Sequence, residues 1–352
     1  MAGATHAHVT EGPQLFDRAT ALRLAAGAAA AGAIPEALAK ANVSGFLQPH
    51  PKWRIVFVNH ALTNPFFVPA KYGSWDAAAL LGAAVQWTGS SSSDVGEMVK
   101  AMRRAIDTGA DGIAVSIIDP VAFNAPTALA VRRGIPVVSY NADGGKANAR
   151  LAYIGQDNYK SGLELGARVV TLVESGDVYL FIATPRQQNI QPRIDGALDA
   201  IRDSGRPIRA HVVASGVDVA EERKRIEATY QTHKDLRGLF AVDAGSTAGV
   251  AEVMRRHKLH AHGVRAGGYD LLRPTLQAIH DRDLDFTIDQ QPYLQGFLPV
   301  LQLFLDRYSG GLVVPADTNT GVSFITRKNV DAYLTTKSRF EGSSRRQKYP
   351  VG

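Results

Sequence analysis

Residues 53–67 constrain this chain more than any other stretch. The run Trp-Arg-Ile-Val-Phe-Val-Asn at 53–59 places five apolar residues among seven, the pattern of a strand buried on both faces of a parallel sheet. Such a strand cannot cover itself, so it requires neighbouring strands and helices on either side. After it come His60, Ala61, Leu62, Thr63 and Asn64, and then Pro65, whose missing N–H costs nothing in the first turn of a helix. The polar loop and the adjacent Phe66 and Phe67 therefore lie at the carboxyl end of a first strand. Open α/β sheets bind ligands on that side. The bland alternative is that the two phenylalanines only staple the helix to the sheet.

The same alternation continues. A helix over 65–81 leads to a strand at 85–88, and the serine run Ser90 to Ser93, closed by Asp94, caps a helix reaching Thr108. A strand at 112–118 precedes Asp119-Pro120, which is expected to open the next helix. Gly134-Ile135-Pro136 then punctuates a strand at 137–140 that ends in Asn141, Ala142, Asp143 and two glycines. After a fifth strand at 151–155 and the polar triplet Gln156-Asp157-Asn158, the register restarts. Five more strands alternate with helices up to residue 288, followed by a long helix at 294–307 and a strand near 322–326. Short apolar strands alternating with helices of ten to fifteen residues mark a parallel, doubly wound sheet, and two comparable sets imply two similar lobes. The expected class is α/β with two doubly wound parallel-sheet lobes. From Tyr333 the lysines, serines and arginines read as a frayed tail over 336–352.

A length of 352 residues suits two domains, and 45% hydrophobic with 20% charged residues is ordinary for a globular protein. The net charge of +6 is dispersed. Arg223, Lys224 and Arg225 are offset by Glu221, Glu222 and Glu227, and Arg345, Arg346 and Lys348 fall in the tail. A nucleic-acid partner needs its positive charge on one face or arm, so that class is set aside. With no cysteine, disulfides, thiolate metal sites and a lipid-modified N-terminal cysteine are excluded.

Residues 1–47 have another character. Arg18 and Arg23 precede an alanine-rich run over 24–41 that ends in Ala39-Lys40-Ala41: a positive flank, a short apolar core and a small-residue cleavage site. This layout resembles a twin-arginine export signal in which Ala19 occupies the second arginine position. The alternative is an ordinary alanine-rich amphipathic helix. The run is too short and too weakly apolar to span a membrane.

If both lobes are doubly wound, their strand ends face a shared cleft. The first lobe brings Asn59, His60, Asn64, Phe66, Phe67, Asn141 and Asp143; the second brings Arg193, Asp243 and Asp270, with Gln290 on a crossing segment. Amides, carboxylates and a guanidinium offer donors and acceptors together, as a polyhydroxylated ligand requires, and aromatic rings offer a face for sugar C–H groups. Asp243 and Asp270 are also placed where a strand-end cap would sit.

The ordered motifs Asn64-Pro65-Phe66-Phe67, Gly134-Ile135-Pro136-Val137-Val138, Ile154-Gly155-Gln156-Asp157-Asn158, Arg193-x-x-Gly196, Leu239-Phe240-Ala241-x-Asp243 and Gly268-Tyr269-Asp270 resemble the periplasmic sugar-binding proteins of bacterial ABC importers, nearest the ribose-binding branch of the type I class. The likeness spans roughly residues 50–330. It implies two lobes, 48–156 plus 291–320 and 157–290 plus 321–335, on three hinge strands near 156–157, 290–291 and Gly321, that close on one sugar and deliver it to a membrane permease, with no cofactor, no metal and no catalysis, in a monomeric, extracytoplasmic protein. Asn64, Phe66 and Phe67 would hold the sugar from the first lobe with Asn59 or His60 nearby, while Arg193, Asp243, Asp270 and Gln290 would bond its hydroxyls. Arg193, as sole cleft cation, would recruit Asp243 or Asp270. Two positions depart from the family pattern: Asn141-Ala142 replaces an acidic residue followed by arginine, and Val217 replaces a second-lobe aromatic. The implied ligand is therefore a neutral pentose, hexose or polyol other than ribose. The same body also serves sugar-responsive LacI-type regulators, but residues 1–47 are too poor in Arg and Lys for a DNA-reading helix-turn-helix. No Gly-x-Gly-x-x-Gly follows the first strand, and none of the other nine histidines pairs with His60 at metal-ligand spacing.

Overall fold

The structure, a computed structural model, describes residues 49–346. The signal-like run over 24–41 lies outside the described residues, as do the last six positions.

The strand β1 (Arg54–Asn59) lies inside the first sheet, one strand in from its edge, with β2 (Ala84–Gly89) on one side and β3 (Gly112–Val115), β4 (Val137–Tyr140), β5 (Ala152–Gly155) and the short β11 (Thr318–Asn319) in order on the other. All its pairings are parallel. Alternation along β1 explains why it lies inside. Ile55 and Phe57 enter a core with Phe67, Val138, Tyr140, Val300 and Phe304, while Val56 and Val58 enter another with Met98, Met102, Ile113 and Val137. The helices α1 (Val68–Leu81), α2 (Val95–Asp107) and α3 (Asn124–Arg132) supply these covers.

The second sheet repeats that order: β7 (Ile208–Ala214), β6 (Gly176–Ile182), β8 (Gly238–Ala241), β9 (Arg265–Tyr269), β10 (Phe286–Asp289) and an antiparallel edge, β12 (Ser323–Thr326). Its helices are α4 (Asn158–Leu172), α5 (Gln191–Asp203), α6 (Val219–Thr232), α7 (Ala244–Arg256) and α8 (Arg273–His280). The chain passes between sheets after β5, after β10 and between β11 and β12. Helix α9 (Pro292–Tyr308) follows a second-sheet strand yet packs on α1 against the first sheet, and α10 (Val330–Thr336) joins the core of the second.

Two local expectations fail. Asp119-Pro120 opens no helix: the Asp119 carboxylate accepts from the N–H groups of Val121 and Ala122, closing a turn, and α3 begins at Asn124. Nor is the chain frayed from Tyr333. Residues 330–336 are helical, and 338–346 pack back on the first lobe through Arg339 and Phe340.

Candidate functional site

Arg193 lies in the first turn of α5 and is only 2% exposed. It fits there because Gly162 on α4 leaves room for its backbone; a Cβ at Gly162 would overlap the Arg193 carbonyl. Its Nε donates to Asn158 Oδ1 (3.0 Å), Nη1 to the Val242 carbonyl (2.9 Å) and Nη2 to Gln290 Oε1 (3.0 Å). The Tyr269 ring lies 4.3 Å beneath the guanidinium and is anchored through its hydroxyl to Ser161 (2.6 Å).

Gln290, on the second crossing, distributes these contacts. Its Nε2 donates to Asp270 Oδ1 (2.7 Å), and its Oε1 also lies 3.5 Å from Asn141 Nδ2. Asn141 donates more closely to Gln295 Oε1 (3.1 Å), while Gln295 Nε2 reaches the Gln290 carbonyl (3.0 Å) and Thr320 Oγ1 (3.2 Å). One hydrogen-bonded node thus joins the loop after β4, two crossings and the second sheet. Asn141 (φ 63°), Asp270 (φ 74°) and Gln291 (φ 58°) turn the chain there in left-handed conformations, which Asn and Asp adopt at low cost.

Of the predicted residues, Asn141, Arg193, Asp270 and Gln290 meet in this node. Contrary to expectation, Arg193 bonds to no carboxylate; the Gln290 amide stands between it and Asp270. Asp243 caps α7, its carboxylate accepting from Ser246 N and Oγ and from Ala183 N. Burial raises its pKa. Burial also pushes Asp270 up to about 7, against the opposing pull of Arg193 and of the Gln290 hydrogen bond.

The first-lobe residues form a separate group. Asn59 is fully buried, donating to the Tyr140 hydroxyl (2.7 Å) and accepting from Ala61 N (2.8 Å). His60 Nδ1 pairs with Ser116 Oγ (2.8 Å), and burial lowers its pKa to about 4, so the ring is neutral at ordinary pH. Phe67, 2% exposed, packs edge-on to His60, Phe66 and Tyr140, whereas Phe66 is half-buried. Asn64 is exposed and caps the short 3-10 turn Pro65–Phe67 by accepting from Phe66 N.

Asp143 points elsewhere. Ser139 and a two-pronged Arg150 hold it; burial alone would raise its pKa, but these partners keep it below the usual carboxylate range. Both line a cavity of about 740 Å³ between the lobes, beside the crossing at 156–157, and Asp143 is the one predicted residue that does. Asn158 lines it too, connecting it to Arg193. Arg150, Lys146 and Lys160 also line it, so Arg193 is not the only cation between the lobes.

Four contributors were not anticipated: Asn158, Tyr269 as a support for Arg193, and the Gln295–Thr320 pair. Gln295 carried a signal, being a lone amide on an otherwise apolar face of a helix. The family profile described as periplasmic binding protein domain matches residues 55–304. The chain belongs to that family.

As a periplasmic binding protein it is a binding protein and not an enzyme, and its place is extracytoplasmic. It is 51% identical over 314 residues to the xylose/arabinose-binding protein XylF of Sulfolobus acidocaldarius, covering 85% of this chain and 77% of that one. Its fold is similar to that of a solute-binding protein from Burkholderia graminis C4D1M solved in complex with D-arabinose (TM-score 0.75, 24% identity, 82% of this chain and 99% of that one). It is also similar to AraP, an arabinose-binding protein from Geobacillus stearothermophilus (TM-score 0.66, 26% identity, 80% and 99%).

Proposed function

We propose that this chain is the receptor of an ABC importer, closing the lobes 48–156 plus 291–320 and 157–290 plus 321–335 on one neutral sugar, a pentose in the first instance. The observation that carries this reading is the node of Asn141, Gln290, Arg193 and Asp270, where donors and acceptors from both sheets meet at the crossings. A guanidinium has five N–H donors and Arg193 commits three, leaving two for hydroxyls. Asp270, with its pKa near 7, both accepts from and donates to a sugar hydroxyl at neutral pH. His60 is a neutral partner, and Phe66 is the half-buried ring available to a C–H face. Asn59, Asn64, Phe67 and Asp243 then act chiefly by holding the first-lobe loop, its aromatic floor and α7 in place, with Asp143 and Arg150 at the cleft edge. The half-identical relative, named for xylose and arabinose, supports a pentose.

The ligand works by shifting an equilibrium. It favours the closed form only by as much as it binds that form better, and a permease that recognises the closed surface then receives a loaded, monomeric receptor. An N-terminal export signal would bring the chain to that compartment.

Titration calorimetry with xylose, arabinose, ribose, glucose, inositol and an amino-acid control tests the reading. Pentose binding is expected, and Arg193→Ala or Asp270→Ala should weaken it about 10- to 100-fold, the loss of one or two charge-assisted hydrogen bonds, in a protein that remains folded. Binding of amino acids or peptides alone, or unchanged affinity in both variants, would refute it.

A further inference from the structure

We propose that residues 338–346 form a strap, a fourth tie between the lobes that limits how far the cleft opens. The strap begins on the second lobe. Helix α10 is rooted there through fully buried Val330 and the Asp331 contact to His280 (2.8 Å). Lys337, in a left-handed conformation (φ 45°), ends the helix and sends the chain toward the first lobe. Ser338 is buried, and a compact turn follows, with Ser338 N donating to Glu341 Oε1 (2.6 Å) and Ser344 N to the Ser338 carbonyl (3.1 Å).

The far end is anchored on α1 and α9. Arg339 makes a two-pronged bond to Asp76 on α1, Nε to Oδ2 at 3.0 Å and Nη2 to Oδ1 at 2.6 Å, and its guanidinium lies 4.5 Å from the Tyr72 ring centre. Asp76 accepts a third bond from the Tyr293 hydroxyl (2.9 Å), and Phe340 meets Tyr293 edge-on at 4.8 Å. Gly342 abuts Pro69 so closely that a Cβ would crowd it. The ion pair is mostly shielded, at 19% and 32% side-chain exposure, so it is not a freely solvated surface pair.

Between its two ends the strap spans a cavity of about 500 Å³ lined by Leu271, Asp289, Tyr293, Tyr333, Phe340 and Glu341. It therefore stands off from the second crossing instead of packing on it. Rotation of the lobes about the crossings changes the distance between α10 and α1, and so loads the Arg339–Asp76 contact. The strap presupposes the hinged receptor described above, but not the identity of the sugar.

The absence of cysteine makes the test direct. Arg103→Cys on α2 and Arg225→Cys on α6, both exposed, carry spin labels on opposite lobes without background labelling. The interlabel distance is measured with and without saturating xylose, in the labelled protein and with Arg339→Ala, Asp76→Ala or truncation after Lys337. The expected result is a longer, broader sugar-free distribution in each strap variant, an unchanged sugar-bound distance, and a fall in apparent affinity of about threefold as the closure-competent fraction declines. Arg339→Lys, which keeps the charge but loses the fork, falls between. An unchanged sugar-free distribution in Arg339→Ala and Asp76→Ala overturns the strap, even if stability falls and even if the truncated chain does not fold. If no sugar shortens the distance in the unmutated protein, the receptor reading fails instead, and the sugar-free comparison still decides the strap.

Discussion

Asp270 and His60 are both buried at strand ends, and burial moves their protonation in opposite directions. Asp270, raised to about 7 from a usual 3.8, binds protons in the folded state across a window where the unfolded chain has released them. Its contribution to stability is therefore lost as pH rises from about 4 to 7. Asp289, raised by burial to about 6, acts with the same sign. His60, lowered to about 4 from 6.5, is neutral when folded while the unfolded chain takes up protons, so its contribution is lost as pH falls from 6.5 to 4. Urea-unfolding midpoints across this range check both: Asp270→Asn should gain on the parent as pH rises, and His60→Asn should gain on it as pH falls. The chemical types in the node were legible in the sequence because polar residues ending apolar strands are conspicuous. Their pairing was not. Arg193 meets the Gln290 amide and not a carboxylate because Gln290 arrives on a crossing segment, whose placement depends on β10 and on the packing of α9.

Helices and strands were largely readable, since apolar periodicity and a cap such as Asp94, whose carboxylate accepts from the third residue of its helix, are local signals. The failure at Asp119-Pro120 is also local in origin: an aspartate ahead of a short loop satisfies nearby N–H groups as readily as a helix start. What local pattern did not convey is which helices touch. On α1 and α9, Gly73 and Gly296 face backbone carbonyls of the partner helix so closely that a Cβ would overlap them, and Gly162 and Gly196 do the same between α4 and α5. Gly296→Ala and Gly162→Ala are each expected to cost about 1–3 kcal/mol in chemical denaturation, the range for overfilling a packed contact. Gly162→Ala, which displaces Arg193, should lower sugar affinity as well.

At the level of the whole molecule, the two sheets share one strand order, and polar groups from both meet at a single node on two of the three crossings. A ligand gripped there stabilises the fold by mass action. Pentose at about 100 times its Kd should add roughly 2.7 kcal/mol, read as a rise in the thermal unfolding midpoint that an amino acid does not produce. The C-terminal segment shows where composition misleads at this scale. Lysines, serines and arginines resemble a solvated tail, yet one arginine finds Asp76, more than two hundred residues away in the chain, and the segment becomes part of the body.

The sequence alone determined the α/β class, the two-lobe repeat and the kinds of side chain at the strand ends, because apolar periodicity, Gly and Pro punctuation and capping residues act over a few neighbours. Tertiary structure decided which of those side chains meet, that an amide mediates between Arg193 and Asp270, and that the tail docks. Each of these rests on contacts between residues distant in the chain, set by helix packing and burial, which no local pattern encodes.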